Sequence, residues 1–117
     1  MDTVKIEDFK VWLNSKKGTA QKRLDKFLEN FKTDPVYAFE WADDSMEAAQ
    51  TLRLCNLVFT FIDNDPTDLV IYTKEYLERE VRNYSRWVEA STSSSSNYIR
   101  RMYLKVCADL LEDLKYF

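Results

Sequence analysis

The sequence predicts an all-α protein, folded over residues 1–117 as one compact domain with a bundle of five or six helices. Gly occurs once and Pro twice, so the two residues that most often interrupt helices are scarce. Apolar residues recur at the three- and four-residue spacing of helix faces, and no alternating pattern is long enough to predict a strand. A chain of 117 residues can bury one core without disulfides or metal.

The first two helices are predicted to form a helical hairpin. Residues 4–16 form the first helix, and Gly18 is expected to end it in the left-handed conformation. Thr19 would then cap a second helix after a very short connection. The predicted buried faces consist of Ile6, Phe9 and Leu13 in the first helix and Leu24, Phe27, Leu28 and Phe31 in the second.

A proline marks the start of the third helix. Asp34 followed by Pro35 matches an N-cap and a first-turn proline, which predicts a short helix through Phe39 and Trp41. A fourth helix is predicted over residues 46–62, where apolar residues cover most of the circumference, so this helix is expected at the centre of the core. Asp44 and Glu47 are spaced like a capping box near its start.

The last two helices are separated by a low-complexity segment. Asp65 or Thr67 is expected to cap a long fifth helix that ends near Val88, and Asn97 to cap the final helix. Residues 91–96 are all Ser or Thr, which predicts a flexible connection between the two helices.

The composition argues against an enzyme and against a bound cofactor. The chain has no His, so it has no imidazole base, no Ser-His or Cys-His pair and no His-containing metal site. Asp63, Asp65 and Asp68 alternate like calcium ligands, but Asp68 and Lys74 occupy the positions where an EF-hand loop needs Gly and Glu. We therefore expect no catalytic residues and no metal.

Cysteine usage and hydropathy bear on localisation. Cys55 and Cys107 lie in apolar helical patterns without CxxC spacing, which predicts reduced core residues. The charged amino terminus lacks the apolar stretch of a signal peptide, and no apolar run is long enough to span a membrane. These features predict a cytoplasmic protein, in a bacterial host cell if the resemblances described below hold.

Basic residues cluster around the predicted hairpin and recur at the start of the last helix. The candidate nucleic-acid-binding residues are Lys16, Lys17, Lys22, Arg23, Lys26, Arg100 and Arg101. The stretch IEDFKVWLNSKKGTAQKRLDKFLENF resembles the amino-terminal core-binding helices of phage integrases, in its Phe-x-x-Trp-Leu opening and its Gly-Thr start of a second helix. No catalytic integrase domain follows, so this resemblance does not imply recombinase activity. Because the net charge is −3, binding to free nucleic acid would depend on this local patch.

An acidic middle segment predicts a partner of opposite charge. Residues 33–68 carry eight Asp or Glu against the single base Arg53. A rim of carboxylates around Tyr37, Phe39 and Trp41 could dock into a basic groove that normally holds nucleic acid. The alternative is that these acids cap helices and the aromatics lie in the core. The candidate partner-binding residues are Tyr37, Glu40, Trp41, Asp43, Asp44, Glu47, Asp63, Asp65 and Asp68.

The combination of small size, acidic charge, helical fold and no catalytic set resembles, in type, the anti-CRISPR proteins of phages and mobile elements. That resemblance implies a non-enzymatic inhibitor that binds a CRISPR effector or another nuclease and blocks its access to nucleic acid. Two alternatives remain open. One is a DNA- or RNA-binding accessory protein that uses the basic residues, and the other is a structural or regulatory homodimer built through the fifth and final helices.

Overall fold

The computed structural model describes the backbone of residues 3–64, 69–90, 94–115 and 117, and the side chains of residues 6–62, 69–89, 97–115 and 117. The elements are α1 (Thr3–Thr33), α2 (Pro35–Ala38), a 3-10 turn (Phe39–Trp41), α3 (Ala42–Asn64), α4 (Leu69–Ala90) and α5 (Ser94–Leu114). The described residues contain no strand. The all-α prediction is therefore confirmed.

The predicted count of five or six bundle helices is wrong. Four long helices form the bundle in the described part of the chain, since α2 is a single turn of 4 residues. The predicted hairpin is replaced by one helix, α1, which continues for 31 residues through Gly18. Gly18 does not adopt the left-handed conformation, and nothing lies within 4 Å of a Cβ built on it.

Packing explains why α1 continues through its glycine. A single Gly inside a helix costs only about 1 kcal/mol relative to Ala. Leu13 and Ala20, on either side of Gly18, are both buried, and α1 packs mainly against α3. The burial of these flanking residues offsets the weak helix propensity of Gly18.

The start of α3 also differs from the prediction. Asp34 does cap α2, since its carboxylate accepts a hydrogen bond from the backbone N–H of Tyr37 at 3.2 Å. α3 then begins at Ala42 rather than at residue 46. Asp44 and Glu47 consequently lie inside α3, where their side chains bind other helices instead of forming a capping box.

The start of α5 differs in a similar way. Asn97 is buried within α5 and is not its cap, because the helix already begins at Ser94. Residues 94–96 of the predicted flexible connection are therefore helical. Residues 91–93 and the predicted caps Asp65 and Thr67 lie outside the described residues.

The core lies where the two helix pairs meet. α1 packs against α3, α4 packs against α5, and α3 contacts α5 between them. The largest fully buried side chains are Phe9, Leu13, Leu54, Leu69, Leu77 and Leu114. Cys55 and Cys107 are buried free thiols, and removal from water raises their pKa values to about 11 and about 12 respectively. The prediction that both are core cysteines is confirmed.

The second part of α1 extends beyond the bundle. Arg23 of α1 pairs with Asp44 near the start of α3, so the α1 residues that follow pass beyond the first turn of α3. We call residues 24–41 the arm; Ala38 is its only buried residue. The radius of gyration is 15.8 Å, whereas a compact domain of this length has about 13 Å. The protein is therefore elongated.

Candidate functional site

The arm exposes a group of large apolar side chains. Val36 is 80% and Phe39 is 64% exposed, and the other members are 40–48% exposed. The group, which we call the arm patch, consists of Leu28, Phe31, Val36, Tyr37, Phe39 and Trp41. Single exposed apolar residues are ordinary on protein surfaces, but several of them within one short segment are typical of an interaction site.

Local contacts hold the arm patch in one shape. The Asp34 N–H donates to the carbonyl oxygen of Asn30 at 2.8 Å, which fixes the turn between α1 and α2. The rings of Phe31 and Phe39 meet edge to face with their centroids 5.8 Å apart. The buried methyl group of Ala38 fixes the other face of this turn. A surface that is already ordered loses less conformational entropy on binding.

A groove adjoins the patch on the side that faces α3. Its volume is about 240 Å³, and the rings of Phe27, Tyr37 and Trp41 contribute its apolar lining. Arg23, Lys26 and Asp44 also line it, and Arg23 pairs with Asp44 at 3.3 Å. The groove thus combines an aromatic surface with an ion pair. A charged group of a partner could replace either member of that pair.

Three of the predicted acidic residues have partners within the fold. Asp43 accepts a hydrogen bond from the Tyr98 hydroxyl, and this bond raises the pKa of that hydroxyl. Asp44 pairs with Arg23 as above. Glu47 pairs with Lys105 at 2.9 Å, and the hydrogen bond raises the pKa of Lys105.

Among the remaining acidic candidates, only the side chain of Glu40 lies in the described part of the structure. Glu40 is exposed, and no described residue pairs with it. The side chain of Asp63, and the whole of Asp65 and Asp68, lie outside the described residues. The structure thus places Glu40 and the carboxylate of Asp34 beside the arm patch.

The basic candidates do not form one group of unpaired charges. Lys16 pairs with Asp113 at 2.6 Å, and Arg23 pairs with Asp44. Lys17 lies over the Phe59 ring with its Nζ 5.2 Å from the centroid, and Arg100 lies over the Trp87 ring. The exposed basic candidates without such a contact among the described residues are Lys22, Lys26 and Arg101.

Sequence reasoning missed part of the arm patch. Leu28 and Phe31 were expected inside a hairpin, and Val36 was not singled out as a surface residue. Tyr37 and Trp41 are at the surface, each 47% exposed. A signal was available in the sequence: four large apolar residues at positions 36–41 follow directly after a helix cap and a proline.

Three further findings bear on function. Among the described residues, no group of three or more His, Cys, Asp or Glu side chains could hold a metal ion. None of the described helices combines the length and apolar character that crossing a membrane requires. No protein-family model matches the chain, and no similar protein was found among curated proteins or solved structures.

Proposed function

We propose that this chain is a non-enzymatic protein-binding domain that docks through the arm patch onto a partner with a basic surface. The observation that carries the proposal is the arm patch itself, with six apolar side chains at least 40% exposed on one ordered segment. In its finer form, the proposal is a stoichiometric inhibitor of a nucleic-acid-handling complex, such as an anti-CRISPR protein acting on a CRISPR effector.

The residue types of the patch favour a protein partner. Aromatic side chains dominate the binding free energy of protein interfaces when they enter pockets on the partner. Phe39 and Trp41 are exposed on a fixed turn, so they can insert without first unfolding any part of the bundle. The aromatic groove beside them would accept an apolar side chain of the partner in return.

Charge favours a basic partner. Residues 34–44 contain four carboxylates, those of Asp34, Glu40, Asp43 and Asp44, and no Lys or Arg. Arg23 pairs with one of them, and Lys26 in the adjoining groove is a further positive charge beside the patch. A negative surface around aromatic anchors is attracted to positive grooves, and grooves that hold nucleic acid are positive. Occupation of such a groove would exclude its nucleic acid without any chemical step.

The nucleic-acid alternative rests on Lys22, Lys26 and Arg101. Since Lys16 and Arg23 are paired with Asp113 and Asp44, fewer positive charges are available for phosphates than the sequence suggested. Affinity for free nucleic acid that falls steeply with salt would support this alternative.

The test compares two single variants in a nuclease-treated pull-down from bacteria that express CRISPR effectors. Phe39→Ser removes a ring from the arm patch, and Ile71→Ser removes a similarly exposed apolar side chain from α4 as a control. We expect the native chain and the control to retain a basic partner in stoichiometric amount, and Phe39→Ser to lose it.

Other outcomes would reject the proposal. Equal capture by all three chains would place the interface elsewhere. Capture that disappears after nuclease treatment would indicate nucleic-acid binding, and recovery of the bait alone as a dimer would indicate self-association. Circular dichroism of Phe39→Ser checks that the variant is still folded, so that a loss of capture reflects the missing ring and not unfolding.

A further inference from the structure

A cleft separates two helices that are neighbours in the chain. α3 and α4 make few contacts with each other, because α3 packs mainly on α1 and α4 mainly on α5. The cleft between α3, α4 and α5 has a volume of about 370 Å³, within the range of about 300–1,000 Å³ that is typical of small-molecule sites. Its lining includes Gln50 and Arg53 of α3, Tyr76, Glu80 and Tyr84 of α4, and Tyr103 of α5.

Glu80 organises one wall of the cleft as a hydrogen-bond acceptor. Its Oε1 accepts from the hydroxyl of Tyr76 at 2.7 Å and from the hydroxyl of Tyr103 at 3.0 Å. Burial and the bond to Glu80 raise the pKa of Tyr76 to about 12, and burial raises the pKa of Tyr103. Both hydroxyls therefore stay protonated and keep donating. Because they share Oε1, the other carboxylate oxygen keeps its capacity to accept from a ligand.

Gln50 adds a second acceptor that lacks a donor. The residue is only 6% exposed, and its Oε1 has no hydrogen-bond partner within the described part of the molecule. Buried polar atoms are almost always hydrogen-bonded, and an exception calls for a missing donor. Gln50 and Glu80 line the same cleft from α3 and α4, so acceptor groups stand on two of its walls.

Aromatic rings complete the surroundings. The rings of Tyr84 and Tyr103 meet with centroids 4.4 Å apart, and both line the cleft with Tyr76. Tyrosine faces attract cations, and Arg79 already lies over the ring of Tyr76 at 5.5 Å. Arg53 also lines the cleft, but it is exposed, so water screens its charge.

We propose that this cleft binds a small organic molecule that carries an ammonium group. The ammonium donates to Gln50 Oε1 and to Glu80, and the apolar body of the ligand lies against the tyrosine rings. An ammonium provides three donors and a positive charge, which matches two acceptors, one of them a carboxylate. α1 and the arm contribute nothing to the lining of the cleft, so this site is independent of the proposed docking surface.

The experiment uses phenethylamine and, as an anionic molecule of similar size, phenylpropionate. Two-dimensional NMR of the native protein should show saturable shifts of the Gln50 side-chain amide with phenethylamine and none with phenylpropionate. Glu80→Gln keeps an acceptor for both tyrosines and removes the charge, so we expect the Kd for phenethylamine to rise about tenfold or more. Gln50→Leu should weaken binding in the same direction.

Matched controls lie outside the cleft. Glu78→Gln makes the same substitution as Glu80→Gln, but on an exposed face of α4. Gln21→Leu makes the same substitution as Gln50→Leu, but at an exposed position of α1. Both controls should leave the Kd for phenethylamine unchanged. Equal binding of phenylpropionate, or no loss of affinity in Glu80→Gln, would overturn the proposal. An unperturbed Gln50 amide at millimolar phenethylamine would also overturn it and would indicate that the cleft holds only water. If Gln50→Leu fails to fold, the Kd values of Glu80→Gln and Glu78→Gln for phenethylamine still test the proposal.

Discussion

Replacement of Gly18 gives a direct test of the continuous first helix. In the structure Gly18 is an exposed residue inside α1, and a Cβ added there meets nothing within 4 Å. Ala at such a position stabilises the folded protein, because it restricts the unfolded chain and favours the helix. We therefore expect Gly18→Ala to raise the free energy of unfolding.

The expected gain is about 1 kcal/mol, which corresponds to a rise in Tm of about 4 °C for a chain of this size. Urea unfolding followed by far-UV circular dichroism measures it. Gly18→Asn provides a second comparison, since Asn is a poorer helix former than Ala but tolerates the left-handed conformation better. A continuous helix predicts that Ala is the most stable of the three and Gly the least. The reverse order would refute the argument and restore the helical hairpin.

Three further predictions follow from burial. Leu110→Ala should lower the free energy of unfolding by about 2–5 kcal/mol in urea titrations. Leu28→Ala in the arm should lower it much less. A similar loss of stability in both variants would show that Leu28 is packed in the core. The thiols of Cys55 and Cys107 should resist a thiol reagent in the folded protein, because burial raises both pKa values and prevents access; fast labelling in native buffer would contradict this. The contribution of Tyr76 to stability should be fully present below pH 10 and be lost as the pH rises toward 12, because the native state retains the Tyr76 proton that the unfolded state loses. Tyr76→Phe should therefore lose less stability over this pH range in urea titrations, and an unchanged loss would contradict the assignment.

The sequence was sufficient to predict the helical class but not the helix count. Scarce Gly and Pro together with helical spacing indicate helices whatever their arrangement. Gly18 has the same local signature as a helix stop and as a tolerated interior residue. Whether the helix ends at Gly18 or continues through it depends on the packing of Leu13 and Ala20 in the core. Residues distant in the chain determine that packing.

The arm patch was predictable only in part for a related reason. Leu28 and Phe31 are three residues apart and the core residues Phe9 and Leu13 are four apart, and both spacings place a pair on one helix face. Burial of a stripe depends on whether a second helix lies opposite it, and α3 begins too late in the chain to cover the end of α1. Gln50 carried a stronger signal, because it is a polar residue within the segment predicted to form the centre of the core.

The charge of the arm bears on whether its partner is a second copy of the chain. A two-fold dimer brings the same surface of both copies together. Residues 34–44 would then bring their own carboxylates together, although Arg23 pairs with Asp44 and Lys26 lines the adjoining groove. Such like-charge contact opposes association. A partner with a basic surface would gain from the same carboxylates, which is why the proposed function takes a different protein rather than a second copy as the partner.

The alternative dimer through the last two long helices faces a different obstacle. The apolar faces of α4 and α5 already pack on each other within one chain, as the contact between Tyr84 and Tyr103 shows. Leu77 and Cys107 from these helices are fully buried in the same core. A dimer through those packed faces would have to open the bundle, but α4 and α5 also expose Ile71, Tyr72, Trp87 and Ile99, and a dimer through these side chains would not. Folding thus leaves apolar surface exposed both on the arm and on α4 and α5, and the capture experiment with Phe39→Ser and Ile71→Ser distinguishes the proposed interface on the arm from one on α4.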